Sequence, residues 1–80
     1  MVKFIMQYNY KILINKEEEG GYMVTVPALP GCITLGDTID EALIMAKEAI
    51  ELYVEELQLR GEFIPDNSNT LEYSINLQTA

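Results

Sequence analysis

One continuous stretch constrains this chain more than any other: Gly20-Gly21-Tyr22-Met23-Val24-Thr25-Val26-Pro27-Ala28-Leu29-Pro30-Gly31-Cys32-Ile33-Thr34-Leu35-Gly36-Asp37-Thr38. Tyr22, Val24 and Val26 alternate with Met23 and Thr25, the period of a strand with two unlike faces. Pro27 has no amide hydrogen and ends that pairing. Pro30-Gly31 makes a bend, and Cys32 to Leu35 form a short further strand. Thr38-Ile39-Asp40-Glu41 is a capping box: the hydroxyl bonds the N3 amide and the acid reaches back. Strand, bend, short strand and helix start follow in that order. No step of it requires a catalytic group.

The flanks extend the pattern. Tyr8, Tyr10, Ile12 and Ile14 alternate with Gln7, Asn9, Lys11 and Asn15, which predicts a first strand. Lys16-Glu17-Glu18-Glu19-Gly20-Gly21 is a polar turn that makes the first two strands a hairpin. From Thr38 to Arg60 the period changes to 3.6. Ile39, Ala42, Leu43, Ala46, Ile50, Tyr53, Val54 and Leu57 fall on one face, and Gly61 supplies the stop. After a loop with Pro65 and Asp66-Asn67-Ser68-Asn69 as breakers, Leu71, Tyr73, Ile75 and Leu77 alternate with polar residues and predict a last strand. The expectation is one α+β domain over residues 1–80 with element order β-β-β-α-β. A right-handed crossover would set the last strand parallel to the first. That gives a mixed four-stranded sheet of order 3-2-1-4 with the helix on one face.

Chemistry is constrained by what is missing. There is no histidine, and Cys32 is the one cysteine, which excludes a His-based general base, a Cys-His dyad, a zinc finger and an intrachain disulfide framework. The lack of a disulfide framework fits a reducing cytoplasm. No base accompanies Thr34 or Thr38, so nucleophilic catalysis lacks its second member. Two-metal catalysis needs converging carboxylates, and the predicted strands hold only Glu72. The chain is therefore expected to be no enzyme and to take no metal or cofactor. The net charge of −8 gives no footprint for a phosphate backbone, so no direct DNA or RNA binding is expected, and a basic protein is the better partner. Simple solubility also explains the charge. No apolar run reaches the ~20 residues of a membrane helix. The start Met1-Val2-Lys3-Phe4-Ile5-Met6 is too short in apolar core for a signal peptide; the patterned chain begins just after Met6, an alternative start.

Several surfaces have apolar or acidic character to spare. Met45, Leu52 and Leu59 recur every seventh residue, away from the core face. They are edged by Glu48, Glu55 and Glu56, with Ile44 and Ala49 nearby. Either Phe63 and Ile64 fold back over this stripe, or it is a subunit or partner interface. The Glu17-Glu18-Glu19 turn and the sheet face carrying Leu13, Met23 and Thr25 are the other candidates. Partner-binding residues are thus expected among Glu17, Glu18, Glu19, Met45, Glu48, Leu52, Glu55 and Leu59. A homodimer is expected, because so small a domain has apolar surface left to bury.

The chain resembles the HicB-like antitoxin family. The resemblance rests on Glu19-Gly20-Gly21-Tyr22, Val24 to Cys32, Thr34 to Thr38, Asp40-Glu41-Ala42-Leu43, Ala46, Glu48-Ala49-Ile50 and Ile64-Pro65, and it covers about Tyr8 to Tyr73. Gly21, Tyr22, Pro27, Pro30, Gly31, Cys32, Gly36, Asp37 and Thr38 act in it as a structural signature. The resemblance implies a partial ribonuclease-H-like fold. It also implies that the chain neutralises a small, basic, HicA-like toxin that cleaves messenger RNA, by occluding the toxin's RNA-binding and active surface. Many family members carry a C-terminal DNA-binding segment; this chain ends at Ala80, so the expectation is a short form. The alternatives are a protein-binding module of the same fold without a toxin, and a metal-dependent ribonuclease-H-like nuclease that uses Glu72.

Overall fold

Pro27 sets the extent of the sheet. The computed structural model describes residues 8–79; Met6, the alternative start, lies outside them. The first strand, β1 (Leu13–Lys16), pairs antiparallel with β2 (Tyr22–Thr25), and Leu13 faces Thr25 at the last rung. Two residues past the end of β2 stands Pro27, which has no N–H to donate. Residues 8–12 therefore continue the inward–outward alternation without joining the ladder: Tyr10 and Ile12 still pack against the core. The third strand, β3 (Ile33–Gly36), pairs antiparallel with the other side of β2, which gives the order β1-β2-β3. The bend between β2 and β3 is closed by three backbone hydrogen bonds, Val26 N to Cys32 O, Leu29 N to Val26 O and Cys32 N to Leu29 O. It places Leu29 in full burial.

The helix α1 (Ile39–Leu59) covers one face of the sheet. Thr38 caps it in extended conformation, and Thr38 Oγ1 accepts from Glu41 N at 3.1 Å. At the other end Gly61 adopts φ +67°, with Gly61 N donating to Gln58 O and Glu62 N to Leu57 O. That is the paired arrangement by which a left-handed residue satisfies the last carbonyls of a helix. Gly36 is required for a different reason. A Cβ there would lie 2.5 Å from Ala42 N and 2.6 Å from Ala42 Cα, so β3 and α1 touch backbone to backbone.

The core is two small clusters. Val24, Ala42 and Ala46 form one, and Val26, Leu29 and Cys32 the other. Of the expected helix core face, Ala42, Ala46 and Leu57 are buried; Ile50, Tyr53 and Val54 are half-buried; Ile39 and Leu43 are exposed. The helix thus presents a wider apolar face than three strands cover.

The expected four-stranded sheet of order 3-2-1-4, and with it the β-β-β-α-β order, is not what the chain forms. Among the described residues there is no fourth strand. Leu71, Tyr73, Ile75 and Leu77 are 75, 84, 91 and 79% exposed. Only the root of the segment is held. Tyr10 OH donates to Pro65 O, Lys11 N to Asn67 Oδ1 and Lys11 Nζ to Thr70 O, and Lys11 Nζ lies 3.7 Å from Glu72. Asn67 Nδ2 stays buried without a hydrogen-bond partner among the described residues. The described chain spans 63 × 29 × 20 Å. Alternation encodes a strand's two faces but not its partner.

Candidate functional site

The sheet register assembles a surface that period alone does not locate. Leu13, Thr25 and Ile33 form one row across the three strands, and Asn15, Met23 and Leu35 the next. These rows face away from the helix. The alternate rows, Ile14–Val24–Thr34 and Lys16–Tyr22–Gly36, face it: Val24 packs against Ala42 and Ala46, and Gly36 abuts Ala42. On the open face Leu13, Ile33 and Leu35 are exposed, an apolar patch of the kind that marks a contact.

Two of these residues sit on β3, an outer strand of the sheet, and each meets a different neighbour. At one end Leu35 lines a cleft with Glu17, Glu18, Glu19, Asp37 and Glu41. The cleft is built by the β1–β2 turn, which Glu17 N closes onto Gly21 O and Gly20 N onto Glu17 O, and by the first turn of α1. Its lining holds five acids and no base, so its potential is strongly negative. At the other end Ile33 lines a second cleft with Ala49, Leu52, Tyr53, Glu56 and Arg60. Tyr53 OH donates to Pro30 O at 2.8 Å and ties the helix to the bend there. Arg60 is engaged by Glu56 at 3.3 Å and by Glu62 at 3.9 Å, so its charge is largely answered locally.

The structure therefore brings some sequence candidates together and leaves others apart. Glu17, Glu18 and Glu19 meet Leu35, and Leu52 meets Ile33. Met45 and Leu59 flank Leu52 on the helix and are exposed. Phe63 does not cover that stripe; it is itself 84% exposed. Glu48 and Glu55 are exposed and, at 100° per residue, lie on the outermost side of the helix. Ile33 and Leu35 are missing from the sequence-based set, although a signal existed. If Cys32 and Thr34 point inward, Ile33 and Leu35 must point outward.

Cys32 is buried, and burial raises its thiol pKa above the ordinary value, the reverse of what a nucleophile requires. Tyr10 is raised by burial first, then by Tyr8 and Asp66, and Asp66 is lowered by its hydrogen bonds with Ser68. Tyr10 OH meets Pro65 at the root of the loop, and neither group lines the clefts along β3. Among the described residues no three His, Cys, Asp or Glu side chains are grouped so as to hold a metal ion, and no helix is long and apolar enough to cross a membrane.

Comparison with known proteins adds an independent line. Residues 10–79 match the family model described as the HicB-like antitoxin of bacterial toxin-antitoxin systems. A UPF0150 protein of Thermoplasma acidophilum is 52% identical over 63 residues, which cover 78% of this chain and 91% of the relative. A UPF0150 protein of Synechocystis is 47% identical over 58 residues, covering 72% and 73%. A protein of Photorhabdus laumondii named Antitoxin HicB 1 is 41% identical over 56 residues, 65% of this chain and 36% of that protein.

Proposed function

The chain belongs to the HicB-like antitoxin family of bacterial toxin-antitoxin systems, and we propose that it neutralises a small, basic, HicA-like toxin by covering the surface with which that toxin binds and cleaves messenger RNA. Family membership gives the antitoxin role and a toxin partner. The observation that carries the rest is the β3 edge, where exposed Ile33 and Leu35 run between an acidic cleft and the Leu52 stripe. A toxin that grips RNA phosphates is basic where it works. The five acids beside Leu35 attract that surface and orient it during encounter. Ile33, Leu35 and Leu52, flanked by Met45 and Leu59, supply the apolar contact that sets residence time. The unpaired outer side of β3 offers main-chain groups for an added strand. Glu48 and Glu55, on the outer side of the helix, contribute charge and not contact.

In this reading the chain is a cytoplasmic homodimer, occludes and does not catalyse, and needs no cofactor. Co-expression with the small basic protein of the neighbouring reading frame tests it. The wild-type chain rescues growth and co-purifies with that protein; the double substitution Ile33→Asp and Leu35→Asp abolishes both while circular dichroism stays native. A toxin shown to be toxic alone, and rescued equally by the double variant, overturns the assignment to the β3 edge. No rescue by the wild type overturns the proposed pairing.

A further inference from the structure

The opposite edge of the sheet carries a vacancy and the chain carries a segment shaped to fill it. Where residues 8–12 lead into β1, a groove runs between them and the helix, lined by Tyr10, Ile12, Leu43, Ile50 and Val54. Leu43 is 44% exposed although the helical period sets it on the core face, and Ile50 and Val54 are only half-buried. The sheet is one strand too narrow for its helix. The segment from Leu71 to Leu77 has the pattern of that strand, with Leu71, Tyr73, Ile75 and Leu77 on one face and Glu72, Ser74, Asn76 and Gln78 on the other. Seven residues in β conformation span about 23 Å, more than the four paired residues of β1 require. Yet within one chain its apolar row is bare. The anchors at Pro65, Asn67 and Thr70 hold its root beside Lys11, and the remainder leads away from the body.

We propose that the occupant of the β1 groove is residues 71–77 of a second copy, exchanged reciprocally, so that the homodimer completes each sheet with its partner's strand. The inference rests on the homodimer reading above. A second copy is the occupant because it supplies what the groove lacks, an apolar row of strand period, from a segment already directed outward. Reciprocal exchange of one element is also a low-cost route to a closed dimer. An added strand pairs with the outward main-chain groups of β1, and its apolar row covers Leu43, Ile50 and Val54, a form of strand addition. A basic toxin has no comparable match here, because the groove floor is apolar and its rim mixes Lys47 with Glu51 and Glu55. The two edges thus divide the work, β1 for the second copy and β3 for the toxin.

Sedimentation of the full chain tests this. The wild type is a dimer, and Ile75→Asp, at a position 91% exposed within one chain, raises the dimer dissociation constant at least about tenfold, because a carboxylate would enter an apolar groove. Its circular dichroism stays native and it still binds the toxin, since the β3 edge is untouched. A monomeric wild type overturns the homodimer reading and this inference together; a dimer indifferent to Ile75→Asp overturns this inference alone. Exchange is read directly in a mixed sample in which unlabelled Ser74→Cys chains, in a Cys32→Ala background, carry a spin label and unmodified chains carry nitrogen-15. Broadening of the Leu43, Ile50 and Val54 amides on the unmodified chains is expected. No broadening in that sample, with broadening of the same amides when the spin-labelled chains themselves carry nitrogen-15 and are diluted into unlabelled wild type, places the strand in cis and overturns the proposal.

Discussion

Single atoms decide two positions in this domain. At Gly36 an added methyl would meet the Ala42 backbone at 2.5–2.6 Å, and backbone cannot rotate away as a side chain can. Gly36→Ala should therefore force β3 and α1 apart and cost about 2–3 kcal/mol, the upper part of the overpacking range. A thermal melt reads this as a loss of roughly 10–20 °C for a domain of this size. At Cys32 the effect is one of charge. Burial raises the thiol pKa in the fold, whereas in the unfolded chain it sits near the ordinary value of about 8.5. The folded state then holds the proton where the unfolded state has released it. The thiol's contribution is fully present below the unfolded pKa and is lost as pH rises through the folded one. The Tm of the wild type should fall more steeply between pH 8 and 10 than that of Cys32→Ala. Tyr10 is raised as well, but it is common to both chains and cancels in the comparison. Parallel pH profiles would show that the thiol is not desolvated.

Each element is legible in the sequence to the degree that its stability is local. The helix is the clearest case: Thr38, the 3.6 period and Gly61 mark its ends and inner face, and Thr38 Oγ1 and the Gly61 turn make the expected bonds. Thr38→Ala should cost about 1 kcal/mol and Thr38→Ser almost nothing, a difference that urea unfolding at constant m-value resolves. The hairpin was equally readable, because turn chemistry and alternation fix a neighbouring strand. What period could not supply was pairing across distance. Pro27 marks the end of the pairing, but residues 8–12 alternate whether or not they pair, and Leu29, one of the most deeply buried residues, lies in a bend between prolines where no period exists. The Leu71–Leu77 segment shows the same limit, since its alternation states a strand while its exposure shows that it lies unpaired within one chain. The candidate surface divides likewise. The acidic turn and Leu52 were visible as charge and surplus apolarity, whereas Ile33 and Leu35 emerge only through the register that sets Thr25 opposite Ile33 and Met23 opposite Leu35.

At the scale of the whole molecule, charge and apolar area have separable consequences. A net charge of −8 is screened beyond about 8 Å at physiological ionic strength, so it acts on encounter and hardly on the packed contact. Five of the acids lie in one cleft beside Leu35, which gives the field a direction as well as a magnitude. Replacing Glu17, Glu18 and Glu19 together with Gln should slow toxin association about tenfold at low salt. It should leave dissociation nearly unchanged and flatten the dependence of the association rate on ionic strength, since steering contributes mainly to that rate. Leu52→Ala should do the opposite, leaving association and its salt dependence intact while speeding dissociation, because apolar truncations at interfaces act chiefly on the off-rate. Surface plasmon resonance at several salt concentrations separates the two. If the triple Gln variant changed only dissociation, the acids would be in the packed contact, and the toxin would sit over the Glu17–Glu19 turn instead of along β3.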